Sequence, residues 1–266
     1  MRASAMEIQP NATWSTNGIT VAGGNGEDSK SNQLYNPWGV YVDDDQTIYV
    51  ADLDNNRIME WKFGATNGTV VAGGNGEGNG TNQLNNPADV IIDKETDSLI
   101  ISDYRNKRVV RWPRRNGTHG ETIITNIACV GLTIDDNGYL YAVDFDKHEL
   151  RQYKIGDTQG TVVAGGNGQG IVVAAGKGYG NSLTQLYYPQ AVVVHQLGTV
   201  YVTDAGNHRI MRWPNRAIQG SVIIGGSGEG AQSNQLSFPV GLSFDRHGNL
   251  YVVEWKNNRV QKFNST

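Results

Sequence analysis

Two series of charged residues recur along the 266-residue chain, and their regularity has to be explained before any chemistry is assigned to them. One is Asp43, Asp93, Asp135 and Asp245, with His195 where a further acid would fall. The other is Asp52, Asp103, Asp144, Asp204 and Glu254, followed five residues later by Arg57, Arg108, Arg209 and Arg259, with Glu149 breaking the pattern once. An acid and an arginine on either side of a four-residue turn can pair across two strands while the carboxylate accepts turn N–H groups. A pair that returns once per repeat suits holding the repeat together, so these are structural positions and not catalytic ones. The five histidines are dispersed: His119 and His247 fall in turns, His148 and His208 in the turns after the second acid, and His195 at the end of a strand. That spacing does not assemble one zinc site. DLDNN at Asp52 to Asn56 has the look of a calcium loop but lacks the downstream Gly and bidentate Glu. The single thiol, Cys129, lies in the apolar run ACVGLTI, which suits a buried side chain and excludes an internal disulfide. With no G-x-S-x-G and no phosphate loop, the sequence points to no catalytic residues, no metal and no cofactor.

The elements that must position these residues are short strands. Thirty-four glycines against seven prolines is a large excess of turn residues. A formal charge of −4 and a pI near 5.7 argue against a general nucleic-acid binder. The N-terminal MRASAMEIQPNATW has no secretory apolar segment, and no run approaches a membrane span. Sequons at Asn11, Asn67, Asn79, Asn116 and Asn264 leave an extracellular origin open and the compartment unknown. Asn67 and Asn116 precede glycines in expected hairpin turns, where Asn-Gly serves a positive φ.

A body beginning NPWGVYVDDDQTIYVADLDNNRIMEW (36–61) returns at 86–112, 128–153, 188–213 and 238–263. Each body contains three β-rich segments, and a fourth strand of the TVVAGG type follows after a glycine-bearing turn. A four-stranded meander cannot bury both faces alone, so such units stack around an axis as a β-propeller. The expected fold is therefore all-β: five four-stranded antiparallel blades, with the strand GITVAGG pairing with the last body to close the ring. Residues 19–263 form this single domain, 1–18 a poorly ordered extension and 264–266 a tail.

The P-x-G-V-x-V-D, I-Y-V-A-D and N-N-R-I segments resemble the NHL repeat family. That resemblance implies a propeller acting as a binding platform, usually with six blades. Related propellers also include amidating lyases and lactonases, and some NHL domains bind RNA on a basic face. Both remain alternatives here.

One stretch departs from the period. TVVAGGNGQG (161–170) is followed at once by IVVAAGKGYG (171–180). The spacing from Tyr153 puts the first copy in register with the body before it, and the spacing to Pro189 puts the second in register with the body after it. A body of about forty residues is missing between two correct fourth strands. Residues 161–164 should then complete the third blade, with 165–180 as an enlarged excursion, Ile171 to Val173 packed locally or left as a sticky edge open to self-association. Blades shaped for six should also leave strain or a loose seam.

The fourth-to-first loops and second-to-third turns must share one face, here called the top. It collects residues that vary between repeats: Trp38, Leu53, Tyr104, Arg105, Phe145, Gln190 and Trp255. Exposed aromatic and arginine side chains of this kind suit a protein or peptide partner of unknown identity. The basic run Arg105, Lys107, Arg108, Arg111, Arg114 and Arg115 is spread along a blade by strand alternation, which makes RNA a weaker alternative.

Overall fold

The computed structural model describes residue 8 and residues 11–266, apart from 136, 158, 166–173, 175–177 and 195–197. Among the described residues twenty strands form five four-stranded antiparallel sheets. Blade 1 is β2 (Pro37–Val42), β3 (Ile48–Asp52), β4 (Arg57–Trp61) and β5 (Thr69–Gly73). Blade 2 is β6 (Pro87–Asp93), β7 (Ser98–Asp103), β8 (Arg108–Pro113) and β9 (Glu121–Thr125). Blade 3 is β10 (Cys129–Ile134), β11 (Tyr139–Asp144), β12 (Glu149–Lys154) and β13 (Thr161–Gly165). Blade 4 is β14 (Pro189–Val194), β15 (Val200–Asp204), β16 (Arg209–Trp213) and β17 (Ser221–Gly225). Blade 5 is β18 (Pro239–Phe244), β19 (Leu250–Glu254) and β20 (Arg259–Phe263), completed by β1 (Ile19–Gly23) from the other end of the chain.

Within a blade the third strand ends in a large aromatic side chain: Trp61, Trp112, Tyr153, Trp213 or Phe263, all buried. The glycine just before the outer strand makes room for that ring. A Cβ on Gly68 would lie 2.7 Å from the Trp61 indole, and one on Gly220 2.7 Å from that of Trp213. The outer strands share a register shift just before their fourth residue, a bulge that curves each blade's edge in the same way.

Between blades, the inner strand lays its fourth and sixth residues on the preceding blade. Val40 and Val42 pack with Tyr251, Val253 and Val260 of blade 5. Val90 and Ile92 meet Tyr49, Ala51 and Ile58 of blade 1, and Leu242 and Phe244 meet Tyr201 and Ile210 of blade 4. The inner strand β10 likewise packs on β6 and β7. The blades therefore follow one another in the order 4, 5, 1, 2, 3.

The remaining junction differs. Among the described residues, no strand of blade 3 packs on blade 4 as the inner strands do at the other four interfaces. Val192 and Val194, the counterparts of Val40 and Val42, are 58% and 62% exposed, against 2% and 1%. The loose seam expected of blades shaped for six is concentrated at this one place. Residues 161–165 form the outer strand of blade 3, paired with β12, as the spacing from Tyr153 predicts. Ile171 to Val173, His195 and most of the 165–180 excursion lie outside the described residues.

Ahead of β1, Trp14 is buried, donates from Nε1 to the Gly248 carbonyl at 2.8 Å and meets the rings of Tyr201 and Phe244. The chain ends run together here, with the Ser15 N–H bonded to the Asn264 carbonyl and the Thr266 N–H to that of Thr13.

Candidate partner-binding face

One backbone hydrogen bond, repeated in every blade, ties the turn after the second strand to the loop before the first. Asp54 N–H donates to the Tyr35 carbonyl at 3.2 Å, Arg105 to Asn85 at 3.1 Å, Phe145 to Ala128 at 2.9 Å, Gly206 to Tyr187 at 2.8 Å and Trp255 to Phe238 at 3.2 Å. Loops and turns therefore share the top face, because antiparallel strands place alternate connections at the same end.

Beneath that face lies the repeated acid and arginine. Asp52 and Arg57 are register partners at the β3–β4 turn. Asp52 Oδ1 accepts the Tyr35 N–H at 2.7 Å, and Oδ2 accepts Asn55 Nδ2 at 2.9 Å and Arg57 Nε at 2.7 Å. The Arg57 guanidinium reaches on to the carbonyls of Ser29, Lys30 and Gln33, pinning the glycine-rich loop. The same set recurs with Asp103 and Arg108, Asp204 and Arg209, and Glu254 and Arg259. Burial pushes the Asp52 and Asp103 carboxyls above their ordinary range, opposed by backbone N–H, asparagine and arginine donors. The carboxylates and guanidiniums of this set are turned onto turn and loop groups, so the set positions the loops.

Blade 3 explains the break in the pattern. Its entry loop is only residues 126–128, so there is no glycine-rich segment for an arginine to hold. Glu149 instead pairs with Arg151 at 2.7 Å. Buried Asp144 keeps Lys147 at 3.1 Å, although neither of its oxygens accepts a hydrogen bond of good geometry.

The variable residues gather in groups. Trp38, Phe238 and Trp255 are partly buried together across the blade 5 and blade 1 junction, with Phe238 and Trp255 at 5.5 Å between centroids. Tyr104 and Phe145 meet edge to face at 6.3 Å across blades 2 and 3, with His148 beside Phe145. Leu53 stands apart, its carbonyl accepting from Asn86, and Arg105 and Gln190 are exposed.

A third group was not singled out by the sequence. Tyr179, Tyr187 and Tyr188 form a chain of rings with centroids 6.1 and 4.6 Å apart, and Tyr179 is 83% exposed. The signal was available: Tyr179 bridges Leu186 where the equivalent bridges use Glu27, Glu77 and Glu229. The adjoining turn is Ala205-Gly206, where other blades carry Asp54, Arg105, Asp146 or Lys256. Blade 4 thus presents an uncharged aromatic rim.

Four of the six residues of the basic run hold acidic partners. Lys107 pairs with Asp146 at 2.7 Å, Arg108 with Asp103 at 2.6 Å, Arg115 with Asp97 at 3.3 Å, and Arg114 with Asp43, Asp97 and the Tyr49 hydroxyl. Among the described residues no group of His, Cys, Asp and Glu is arranged to hold a metal ion. Of the two Asn-Gly turns, Asn116 adopts the expected positive φ of 55°, whereas Asn67 does not and instead accepts from Ser31 Oγ at 3.0 Å.

The NHL repeat family model matches residues 34–59, 186–212 and 236–263. The chain is an NHL-repeat β-propeller. The matched segments are the first three strands of blades 1, 4 and 5, each carrying the acid and arginine pair described above. None of the curated proteins compared with the NHL chain matches it. Among solved structures it is similar to a protein of unknown function from Bacteroides thetaiotaomicron, at TM-score 0.73 and 13% identity over 94% of this chain and 76% of that one. A gluconolactonase from Xanthomonas campestris aligns at 0.54 and 11% over 89% and 88%. An auxiliary nutrient binding protein from Bacteroides thetaiotaomicron aligns at 0.53 and 13% over 96% and 77%. At such identities these likenesses show the propeller fold, which serves binding proteins and enzymes alike.

Proposed function

We propose that this NHL-repeat propeller is a non-catalytic binding module that takes a protein or peptide partner on its top face. The observation that carries this reading is the contrast between two kinds of residue on that face. The repeated acids and arginines are consumed in holding loops, whereas the residues that differ between blades include exposed aromatics, Tyr179, Tyr188 and Phe145 among them. Large amphipathic rings with little conformational freedom are the side chains that dominate interface energetics.

Photo-crosslinking of a partner by the intact chain, compared with Trp38→Ala, Tyr104→Ala, Trp255→Ala and with Tyr179→Ala, Tyr187→Ala, Tyr188→Ala variants, tests it. Specific bands lost in either triple variant support the reading. Metal analysis with lactone-hydrolysis and amidation assays tests the enzyme alternative, and a stoichiometric metal accompanied by turnover overturns the binding reading.

A further inference from the structure

At the end of the ring opposite the top face, three neighbouring blade junctions are plugged in different ways. Each holds a tyrosine from the second position of a second strand: Tyr201 between blades 4 and 5, Tyr251 between blades 5 and 1, and Tyr49 between blades 1 and 2. Between blades 1 and 2 the plug is Arg114. Its guanidinium lies 5.4 Å from the Tyr49 ring centroid, donates from Nε to the Tyr49 hydroxyl at 2.9 Å and pairs with Asp43. Between blades 4 and 5 the plug is Trp14, its indole edge to face with Tyr201 at 6.0 Å and its Nε1 donating to the Gly248 carbonyl. Both plugs are flat groups that carry an N–H into the groove.

Charge decides which plug each groove takes. The third-strand residue paired with the tyrosine is Glu60 opposite Tyr49 and Arg212 opposite Tyr201. The acid goes with the cationic plug, since Glu60 accepts the Tyr49 hydroxyl that in turn accepts from Arg114. The base goes with the neutral indole, and Arg212 Nη1 donates to the carbonyl of Ala12, two residues before Trp14, at 2.7 Å.

Opposite Tyr251 stands another base, Lys262. Gln46 occupies the turn position of Gly248, closing the same turn at the same positive φ. Phe63 falls where Arg114 does, two residues after the third-strand tryptophan, yet it is 69% exposed where Trp14 is 7%. What remains is a cleft of about 860 Å³, lined by buried Ile48, Trp61 and Tyr251 and by exposed Ile19 and Phe63. Lys262 lines it too, with Nζ 5.5 and 5.6 Å from the centroids of Tyr251 and Phe63 and donating to Gln46 Oε1 at 2.8 Å.

We infer that this cleft binds a flat neutral aromatic ring carrying an N–H donor, of the indole class, as the groove beside it holds Trp14. The ring packs on Ile19 and Phe63 against the Lys262 ammonium, and its N–H meets the Gln46 backbone carbonyl, the counterpart of that of Gly248. An ammonium beside aromatic rings and apolar lining favours a further neutral ring. A guanidinium in the same place meets Lys262 with no acid in the position of Glu60, and the nearby Asp245 carboxylate already accepts from Asn249 and the Tyr251 hydroxyl. The inference is independent of the top-face reading, because none of these residues belongs to the proposed partner site.

The test uses the intact chain with isotope-labelled phenylalanine, read by amide NMR. Phe63 reports on this cleft, Phe244 on the groove filled by Trp14, and Phe145 and Phe238 on the top face. The probes are indole, N-acetyltryptophanamide, N-methylindole and N-acetylargininamide. The expected result is a saturable shift of Phe63 with an indole probe while Phe244 stays in place, binding of N-methylindole weaker by about fivefold, and no shift with N-acetylargininamide. A response to indole itself assigns the cleft to a free ring compound, and a response to N-acetyltryptophanamide alone assigns it to a tryptophan carried in a chain. Ile19→Glu, at a half-exposed position, should weaken binding by about fivefold or more and Lys262→Met by about threefold, with unmoved Phe238 and Phe244 signals showing a native ring. Should Lys262→Met fail to fold, Ile19→Glu decides. The inference is overturned by the absence of a saturable Phe63 shift with either indole probe, by equal binding of N-methylindole or N-acetylargininamide, or by full binding to Ile19→Glu. A shift of Phe244 in place of Phe63 shows exchange with Trp14 and overturns it, as does a Phe63 signal that moves with protein concentration alone, which assigns the cleft to a second copy.

Discussion

His208 Nδ1 accepts the backbone N–H of Phe238 at 3.2 Å, in the place where Asn56 Oδ1 serves Asn86 and Asn258 Oδ1 serves Asn36, both at 2.9 Å. All three latch residues sit at positive φ, 53°, 52° and 48°, at the end of the turn after the second strand. The latch joins blades 1, 4 and 5 each to the entry loop of the next, and the acceptor is what matters, not the ring. His208→Asn should therefore retain stability. His208→Ala leaves a part-buried N–H without its acceptor and should cost about 1 kcal/mol. Denaturant unfolding of the two variants side by side checks this.

Removing an arginine from the buried pairs should be the most damaging single polar change in the molecule. Arg209→Met strands the fully buried Asp204 and releases the carbonyls of Asn181, Ser182 and Gln185. A loss of about 3–5 kcal/mol is expected by equilibrium denaturation, the range for breaking a buried ion pair from one side. Arg151→Met, whose Glu149 partner lies nearer the surface, should cost well under half of that.

Gly68→Ala pushes a methyl group into the Trp61 ring, which is itself buried in the blade 5 and blade 1 cluster and has no room to retreat. Overpacking of this kind should lower stability by about 1–3 kcal/mol. Gly76→Ala, in open space but at a φ of 80°, separates backbone strain from crowding when measured by the same unfolding experiment.

Cys129 is fully buried, and desolvation pushes its thiol up to about 12. Because the folded value is raised, the thiol stays protonated in the native protein at pH 8 and turns to thiolate only near pH 12, whereas the unfolded chain ionises near an ordinary cysteine. Iodoacetamide at pH 8 should leave the folded chain unmodified and label it stoichiometrically in denaturant. Rapid labelling under native conditions would contradict the buried placement.

Much of this molecule is legible in the order of its residues, because a propeller is assembled from local parts. Alternation of apolar residues gives each meander, glycine and asparagine give its turns, and a fifty-residue period compels stacking, so five blades follow from sequence alone. The acid and arginine pair was equally plain, since its members flank a single turn. The doubled fourth strand pointed to the absent body and to 161–164 as the strand that blade 3 would use.

Other features depend on residues brought together from distant parts of the chain. The period does not say which junction carries the slack of a missing blade: four junctions pack fully and the exposure falls on Val192 and Val194, because apolar contact is not shared out evenly around a close-packed ring. Nor does it say that the arginines hold loops some 25 residues upstream, or that Trp38, Phe238 and Trp255 pack on one buried cluster. Strand order and turn chemistry are properties of neighbours in sequence. Which faces remain uncovered is a property of the whole ring, and it was decided only when the blades closed against one another.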